Sequence, residues 1–283
     1  MIDVRQLSFT YPGAKEAILK NLNFSIQEGE IFGFLGPSGA GKSTTQKILY
    51  KILRNYQGEI HIKGKALDEW GNDYLSRVGV GFELPNHYLK LTARENLQLF
   101  SEFYAKAQIQ DFPTLFELVG MADSMDKRVE AYSKGMKMRL NFIRAIMHNP
   151  DILFFDEPTA GLDPVNAHRV KEHILALRRQ GKTIFITTHN MTTADEICDR
   201  VSFIVDGEIR LTEAPASLKL QHGKKTVKVE LTNGQEAEFE PQALGDNPTF
   251  IQFLQKGELH RIHTQEASLE EVFIKVTGKS LVA

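Results

Sequence analysis

The chain has 283 residues, 42% apolar and 25% charged, with 34 Lys and Arg against 36 Asp and Glu for a net charge of −2. That length suggests about two domains at roughly 150 residues each, and the near-neutral balance removes the electrostatic reason to expect tight nucleic-acid binding. Cys198 is the only cysteine, which excludes an intrachain disulfide and a cysteine zinc cluster and fits a reducing compartment.

No window approaches the ~18 apolar residues of a membrane span. The best runs are Ile31–Leu35 and Ile152–Phe155, and Met1–Arg5 opens without a basic, then apolar, leader. The expectation is a chain that neither spans a membrane nor enters the secretory route. If it acts at a membrane, a second chain supplies the span.

In chain order, Ile2–Leu7 and Leu22–Ile26 read as strands, and Ile31–Leu35 is continuously apolar, as a buried parallel strand should be. A helix is expected from Lys42 to about Arg54, then strands over Gly58–Ile62 and Val78–Phe82. Between Thr92 and Met147 the pattern turns helical, with Leu97, Phe100, Phe103 and Tyr104 at helical spacing and most of Leu97–Tyr104 expected to be buried. The strand Ile152–Phe155, a helix near Val165–Arg179, the strand Thr183–Thr187 and a helix near Thr193–Cys198 follow. Val201–Val205 and Glu208–Leu211 form a hairpin across Asp206-Gly207. A boundary is expected near Ala214-Pro215. Beyond it, Lys225–Leu231 alternates, Asn233-Gly234 supplies a turn, and Ser268-Leu-Glu-Glu271 is a capping box opening a helix with Leu269, Val272, Phe273 and Val276 on one face and Gly278 at its end.

Gly36-Pro37-Ser38-Gly39-Ala40-Gly41-Lys42-Ser43 fits the P-loop pattern G-x-x-x-x-G-K-[ST], and Thr44 follows it. Its glycines let backbone N–H groups turn onto phosphate oxygens, and the helix behind adds its positive end. Lys42 would neutralise the β- and γ-phosphates of ATP, and the Ser43 hydroxyl would ligate Mg²⁺. The apolar strand ending in Asp156-Glu157 is the matching partner. Asp156 can hold the Mg²⁺ shell, and Glu157 can polarise an attacking water as general base. The 120 residues from Gly36 to Asp156 are long for a minimal P-loop kinase or GTPase; the helical stretch fills the gap. At its end stands Tyr132-Ser133-Lys134-Gly135-Met136. After the acids comes Ala160-Gly161-Leu162-Asp163-Pro164, and His189 follows the strand Thr183–Thr187.

These motifs, in this order, make residues 1 to about 214 resemble the nucleotide-binding subunit of an ATP-binding cassette (ABC) transporter. The Tyr-Ser-Lys-Gly-Met run and the ending Leu269-Glu-Glu-Val-Phe-Ile-Lys-Val-Thr-Gly278 resemble the ABC-2 type exporters. The resemblance implies an α/β fold: a P-loop cassette with an antiparallel β subdomain, an inserted helical subdomain at about 92–147 and a small C-terminal α+β domain over 215–283. It implies a head-to-tail dimer, homodimeric or paired with a similar cassette, that sandwiches ATP between the P-loop of one chain and the signature of the other. Ser133 and Gly135, flanked by Lys134 and Met136, would then contact the partner's γ-phosphate, and Asp163 would touch the partner's P-loop. His189 would sense the γ-phosphate. Tyr11 sits where the family stacks an aromatic ring on adenine, although it also reads as a packed turn aromatic.

Two residues depart from the family pattern. Glu83 stands where a Gln normally follows the strand Val78–Phe82; it can take over the role toward Mg²⁺, at the cost of added negative charge near the γ-phosphate. Lys134 replaces a common Gly, and either adds a cation near the partner's phosphates or points to solvent. Tyr88 and Leu89, outside the helical periodicity, are candidates for docking a membrane subunit. The resemblance further implies an ATPase on the cytoplasmic face of the cell membrane, powering a separate permease, with export favoured and no nucleic-acid partner. Two rivals are a soluble ABC ATPase acting on ribosome or nucleic acid and a non-hydrolytic regulatory subunit. Against the first stand the single cassette and the missing heptad tract. Against the second stand Lys42, Asp156, Glu157 and His189 together. The C-terminal segment could regulate the cassette, extend the dimer interface or cover an edge.

Overall fold

The structure, a computed structural model, describes residues 1–223, 225–265 and 267–279. Lys224, Glu266 and residues 280–283 of the expected C-terminal segment therefore lie outside the described residues. The chain divides into two compact units, one covering Met1–Ala214 and the second beginning at Pro215.

The first unit opens with β1 (Ile2–Phe9), β2 (Leu19–Ile26), β3 (Ile31–Leu35) and α1 (Lys42–Leu49). Next come β4 (Gln57–Ile62), β5 (Lys65–Ala66), the one-turn α2 (Asn72–Leu75) and β6 (Val78–Gly81). The helical segment holds α3 (Ala93–Ser101), α4 (Phe112–Leu118) and α5 (Lys134–Ile146). The chain then returns through β7 (Ile152–Asp156), α6 (Pro164–Arg179), β8 (Thr183–Thr188), α7 (Met191–Ile197), β9 (Arg200–Val205) and β10 (Glu208–Glu213).

Two sheets organise this unit. The antiparallel sheet has the order β2-β1-β4-β5. In β1, Ile2, Val4, Leu7 and Phe9 are buried and the register slips at the left-handed Gln6, φ 52°, so a bulge restores the inward face. The second sheet has the order β10-β9-β3-β8-β7-β6, parallel except for the edge strand β10. β3 and β8 are buried at every position, which is why their sequences run apolar without alternation until the threonines that end β8. Phe24 of β2 packs on Phe32, Phe34 and Phe185 of the parallel sheet, with ring centroids 5.5 to 6.1 Å apart. These rings fasten one sheet to the other, each burying a large apolar area.

Three local expectations need correction. Helix α1 stops at Leu49 rather than near Arg54, because Lys51 turns left-handed at φ 65° and the N–H groups of Ile52 and Leu53 both return to the Lys47 carbonyl. The helix before β9 starts at Met191, where Asn190 caps the Thr193 N–H, rather than at Thr193. The aromatic run Leu97–Tyr104 is not mostly buried: α3 ends at Ser101, Leu97 is buried, Phe100 and Tyr104 are half-buried and Phe103 is 76% exposed.

The second unit consists of α8 (Pro215–His222), β11 (Thr226–Leu231), β12 (Glu236–Phe239), α9 (Pro248–Leu254), β13 (Leu259–Gln265) and α10 (Leu269–Thr277). Its antiparallel sheet has the order β12-β11-β13 and covers a small core of Val227, Val229, Leu231, Phe239 and Phe253. Gly234, at φ 79°, turns the chain between β11 and β12. Ser268 and Glu271 exchange both bonds of a capping box at the start of α10, and Gly278 closes it at φ 68°. On α10, Leu269, Val272 and Phe273 are buried and Val276 is half-buried. Sequence periodicity did not register α8, α9 or β13, which are short or lack an alternating face.

Candidate nucleotide site

The parallel sheet explains why residues far apart in sequence converge. β3, β8, β7 and β6 are consecutive neighbours, paired through Leu35↔Thr188, Asp156↔Thr187 and Gly81↔Phe155. Their C-terminal ends therefore deliver, side by side, Gly36, His189, Asp156-Glu157 and the segment carrying Glu83. Ligands of open parallel sheets bind at this end of the strands.

The P-loop, Gly36 to Ser43 with Thr44 behind it, links β3 to α1. Gly36 admits no side chain: a Cβ there would lie 2.1 Å from the Ile204 carbonyl oxygen. Gly41 caps α1 at φ 107°, a conformation that L side chains rarely adopt, and a Cβ would also press on Leu19. Ser38 and Gly39 are exposed, whereas Ala40 is buried. Lys42 is buried, and its Nζ donates to the carbonyls of Gly36, 2.6 Å, and Pro37, 3.0 Å. Burial holds its pKa below the ordinary lysine value, while Glu157, Asp156 and Glu83 oppose that shift. All three acids thus act electrostatically on the P-loop lysine. Tyr11 is exposed beside the loop, packs edge-on against Phe9 at 5.0 Å and shares a 3.1 Å hydrogen bond with the Thr44 hydroxyl.

Glu157 is the most constrained acid of the site. Its backbone is left-handed at φ 50°, a costly conformation for a residue with a side chain. Its carboxylate is buried; Oε2 accepts from the Thr188 hydroxyl at 2.8 Å, and Oε1 accepts from the His189 N–H at 2.8 Å. His189 Nδ1 lies 2.5 Å from the same Oε1, and because an ionised carboxylate only accepts, Nδ1 is the protonated nitrogen. The rest of the His189 ring is open, with 59% of the side chain exposed. Asp156 accepts a short hydrogen bond from the Thr187 hydroxyl through Oδ1. Ser43, Asp156 and Glu83 offer only oxygen donors, the donor type that Mg²⁺ takes. Glu83 itself is exposed.

Two supporting features escaped the sequence reading. Thr187 and Thr188 orient the two acids; the readable signal was a pair of hydroxyl residues ending an apolar strand just before His189. Gln46, one turn into α1 on its buried side, donates through Nε2 to the Phe155 carbonyl at 3.0 Å and ties the P-loop helix to the acidic strand.

The second motif group lies apart from the first. Ser133 caps α5 by accepting from the Met136 N–H at 3.2 Å, and Asp163 caps α6 by accepting from the Asn166 N–H at 3.1 Å. Leu162 and the Gly161 carbonyl border Gly135, and the Lys134 side chain lies along Gly161. The segments Ser133–Met136 and Ala160–Asp163 therefore form one patch. Among the described residues no hydrogen bond or ion pair joins that patch to the P-loop of the same chain. Leu84, Tyr88 and Leu89 are exposed near α3.

A P-loop on a parallel sheet, two acids on a neighbouring strand end and an inserted helical segment define a P-loop ATPase of the cassette class. The family model described as "ABC transporter" matches residues 19–160. The chain is 49% identical over 285 aligned residues to the Fluoroquinolones export ATP-binding protein of Mycobacterium tuberculosis strain CDC 1551, covering 99% of this chain and 94% of that protein. It is 34% identical to the Nod factor export ATP-binding protein I of Burkholderia pseudomallei strain 1710b, covering 99% of this chain and 98% of the relative. Among solved structures it is similar to an ATP-binding subunit of an ABC transporter, TM-score 0.71 and 27% identity over 78% of this chain and 92% of that one. It is also similar to an ATP-binding cassette solved as a post-hydrolysis dimer with ADP and Pi, TM-score 0.67 and 27% identity over 76% of this chain and 98% of that one. The chain belongs to the ABC transporter family. It is an ATP-binding, ATP-hydrolysing subunit that serves a transporter, with the α/β cassette fold that its motifs implied.

Proposed function

We propose that two cassettes close head to tail around two ATP molecules and hydrolyse them to drive a separate membrane permease, in the direction of export. The observation that carries this reading is the alignment of Gly36, His189, Asp156-Glu157 and the Glu83 segment on four neighbouring strand ends, with Ser133–Met136 and Asp163 grouped on a different patch. A site split in this way is completed by a second copy or a similar cassette. Relatives that carry "export" in their names support the direction, and the dimeric cassette supports the assembly. Among the described residues no helix is long and apolar enough to cross a membrane. In this reading the path for cargo belongs to another chain, against which this one works from the cytoplasmic face.

Within the site, the residues divide the work. The P-loop amides from Gly36 to Thr44 cradle the phosphates, and Lys42 leaves the Gly36 and Pro37 carbonyls for the β- and γ-phosphate oxygens. Tyr11 presents its ring to adenine while Thr44 holds its hydroxyl. Glu157 accepts a proton from the attacking water as oxygen bonds to the γ-phosphorus in line with the departing β–γ bridging oxygen, which leaves on ADP. His189 and Thr188 aim that carboxylate, and the open face of His189 meets the γ-phosphate. Ser43, Asp156 and Glu83 would hold Mg²⁺, which would neutralise phosphate charge when bound. From the partner, Ser133 and the start of α5 address the γ-phosphate, with Lys134 and Met136 flanking Gly135. Asp163 meets the partner's P-loop. The exposed residues Leu84, Tyr88 and Leu89 dock the membrane subunit.

The test is Glu157→Gln in the full-length protein. Phosphate release should fall by roughly 10² to 10⁴, the usual worth of a general base, while ATP now holds the protein as a dimer in size-exclusion chromatography with light scattering. Wild-type turnover in the variant would remove Glu157 from its role.

A further inference from the structure

Helix α1 sets an amide in the interior behind the P-loop. Gln46, one turn beyond Lys42, is only 1% exposed, although glutamine side chains mostly stay in water. Its Nε2 donates to the Phe155 carbonyl at 3.0 Å. Its Oε1 is buried and has no hydrogen-bond partner among the described residues. Turning the amide over would set Oε1 against that carbonyl, acceptor against acceptor, so Nε2 is the atom that belongs there.

For stability this arrangement is a poor one. A buried acceptor left without a donor costs more than an ordinary hydrogen bond returns, and an apolar side chain of the same length would fill the space with no orphaned atom. Phe155 does not need the amide to keep its place in the sheet, because it is paired on both sides, with Gly81 of β6 and Ile186 of β8. Its ring stacks on Phe142 of α5, centroids 5.2 Å apart, and lies over Gly81, where a Cβ would come within 2.7 Å of it. Strand pairing and ring thus hold Phe155 to β6, β8 and α5. The Gln46 amide adds the tie to α1, one residue before Asp156-Glu157.

We infer that Gln46 is a positioning residue for ATP hydrolysis: its amide sets the strand end carrying Asp156 and Glu157 against the helix start carrying Lys42 and Ser43, at a cost in stability. This rests on the reading of those acids as the ones that act in hydrolysis. Lys42 and the P-loop hold phosphate on one side of the Gln46 bond, and Glu157 aims at the attacking water from the other. Binding of ATP draws mainly on the P-loop side. The alignment of the two sides matters when water attacks the γ-phosphorus, so loosening it lowers turnover and leaves nucleotide binding alone.

The experiment compares the full-length wild-type protein with Gln46→Met and Glu157→Gln. Methionine keeps the length of glutamine and removes the donor and the orphaned acceptor together. Gln46→Met should lower kcat about tenfold, the scale of a small misplacement of reacting groups. Its KM for ATP and its affinity for the fluorescent analogue MANT-ATP should stay within about twofold of wild type, and its thermal unfolding midpoint should equal or exceed the wild-type one. A merely structural amide gives a different pattern, a lower midpoint with weaker MANT-ATP binding, and that result would overturn the positioning role. A kcat within about twofold of wild type would overturn it as well. Glu157→Gln tells the two levels apart. If it is inactive while Gln46→Met turns over normally, the acids keep their roles and Gln46 loses its own; if Glu157→Gln itself turns over normally, the acid roles fall and the inference with them.

Discussion

Glu157 sits in a strained backbone, at φ 50°, with its carboxylate held by Thr188 and His189. Strain of this kind persists only where the surroundings over-determine it, and here Thr188 at the end of β8 and His189 just after it supply the restraints. Glu83 is the contrasting residue: exposed, without such restraints, but close enough to act on Lys42. A carboxylate binds Mg²⁺ at least as well as the amide the family usually carries there. Removing it with Glu83→Ala should raise the Mg²⁺ concentration for half-maximal ATPase, and Glu83→Gln should fall between. Mg²⁺ titrations of the three proteins read the order directly. If both variants matched wild type, Glu83 would have no part in holding the metal.

Elements carry a second set of consequences. The segment 82–91 is irregular, yet it is tied by side chains: Asn141 to Phe82, Arg144 to Asn86, Asn96 to both polar groups of the Tyr88 backbone, and His87 Nε2 to the Lys137 carbonyl at 3.0 Å. At the other end of α5, His148 pairs with the Val78 carbonyl at 3.0 Å and stacks on Tyr104 at 3.9 Å. Burial pushes both histidines down to about 4. Their folded pKa values thus lie below the unfolded value near 6.5, so between these limits the unfolded chain binds more protons. The stability they contribute is fully present above about pH 6.5 and is lost as pH falls towards about 4, on the order of a few kcal/mol for the pair. Urea midpoints should drop from about pH 7 to about pH 5, and His148→Gln should shrink that drop. An unchanged slope in the variant would count against His148 as a source.

For the whole molecule, the separation of signature from P-loop makes a prediction about assembly. Lys42→Ala chains lack a working P-loop and Gly135→Asp chains lack a working signature, so each alone should be inactive. In a head-to-tail pair of the two, one site combines both defects and the other is intact. Mixing equal amounts should restore ATPase activity to about a quarter of wild type, since half the dimers are mixed and each holds one good site. Phosphate release from the mixture measures this. No recovery on mixing would place the complete site within a single chain.

The motifs that name the chemistry were legible in the sequence because each is local: the P-loop is a turn of glycines before a helix, Asp156-Glu157 ends an apolar run, and Ser133 and Ser268 precede helices they can cap. The cassette fold was legible for the same reason, through buried strands that run apolar and the hairpin marked by Asp206-Gly207, and Asn233-Gly234 marked a hairpin of the second unit in the same way. What lay beyond it depends on neighbours that the sequence does not order. The adjacency β3-β8-β7-β6 brings residues 36, 83, 156 and 189 together, and no spacing along the chain encodes strand order. The burial of Gln46 and the exposure of Phe103 are decided by what packs against them, so the chemistry could be read from the residues and their convergence only from the tertiary structure.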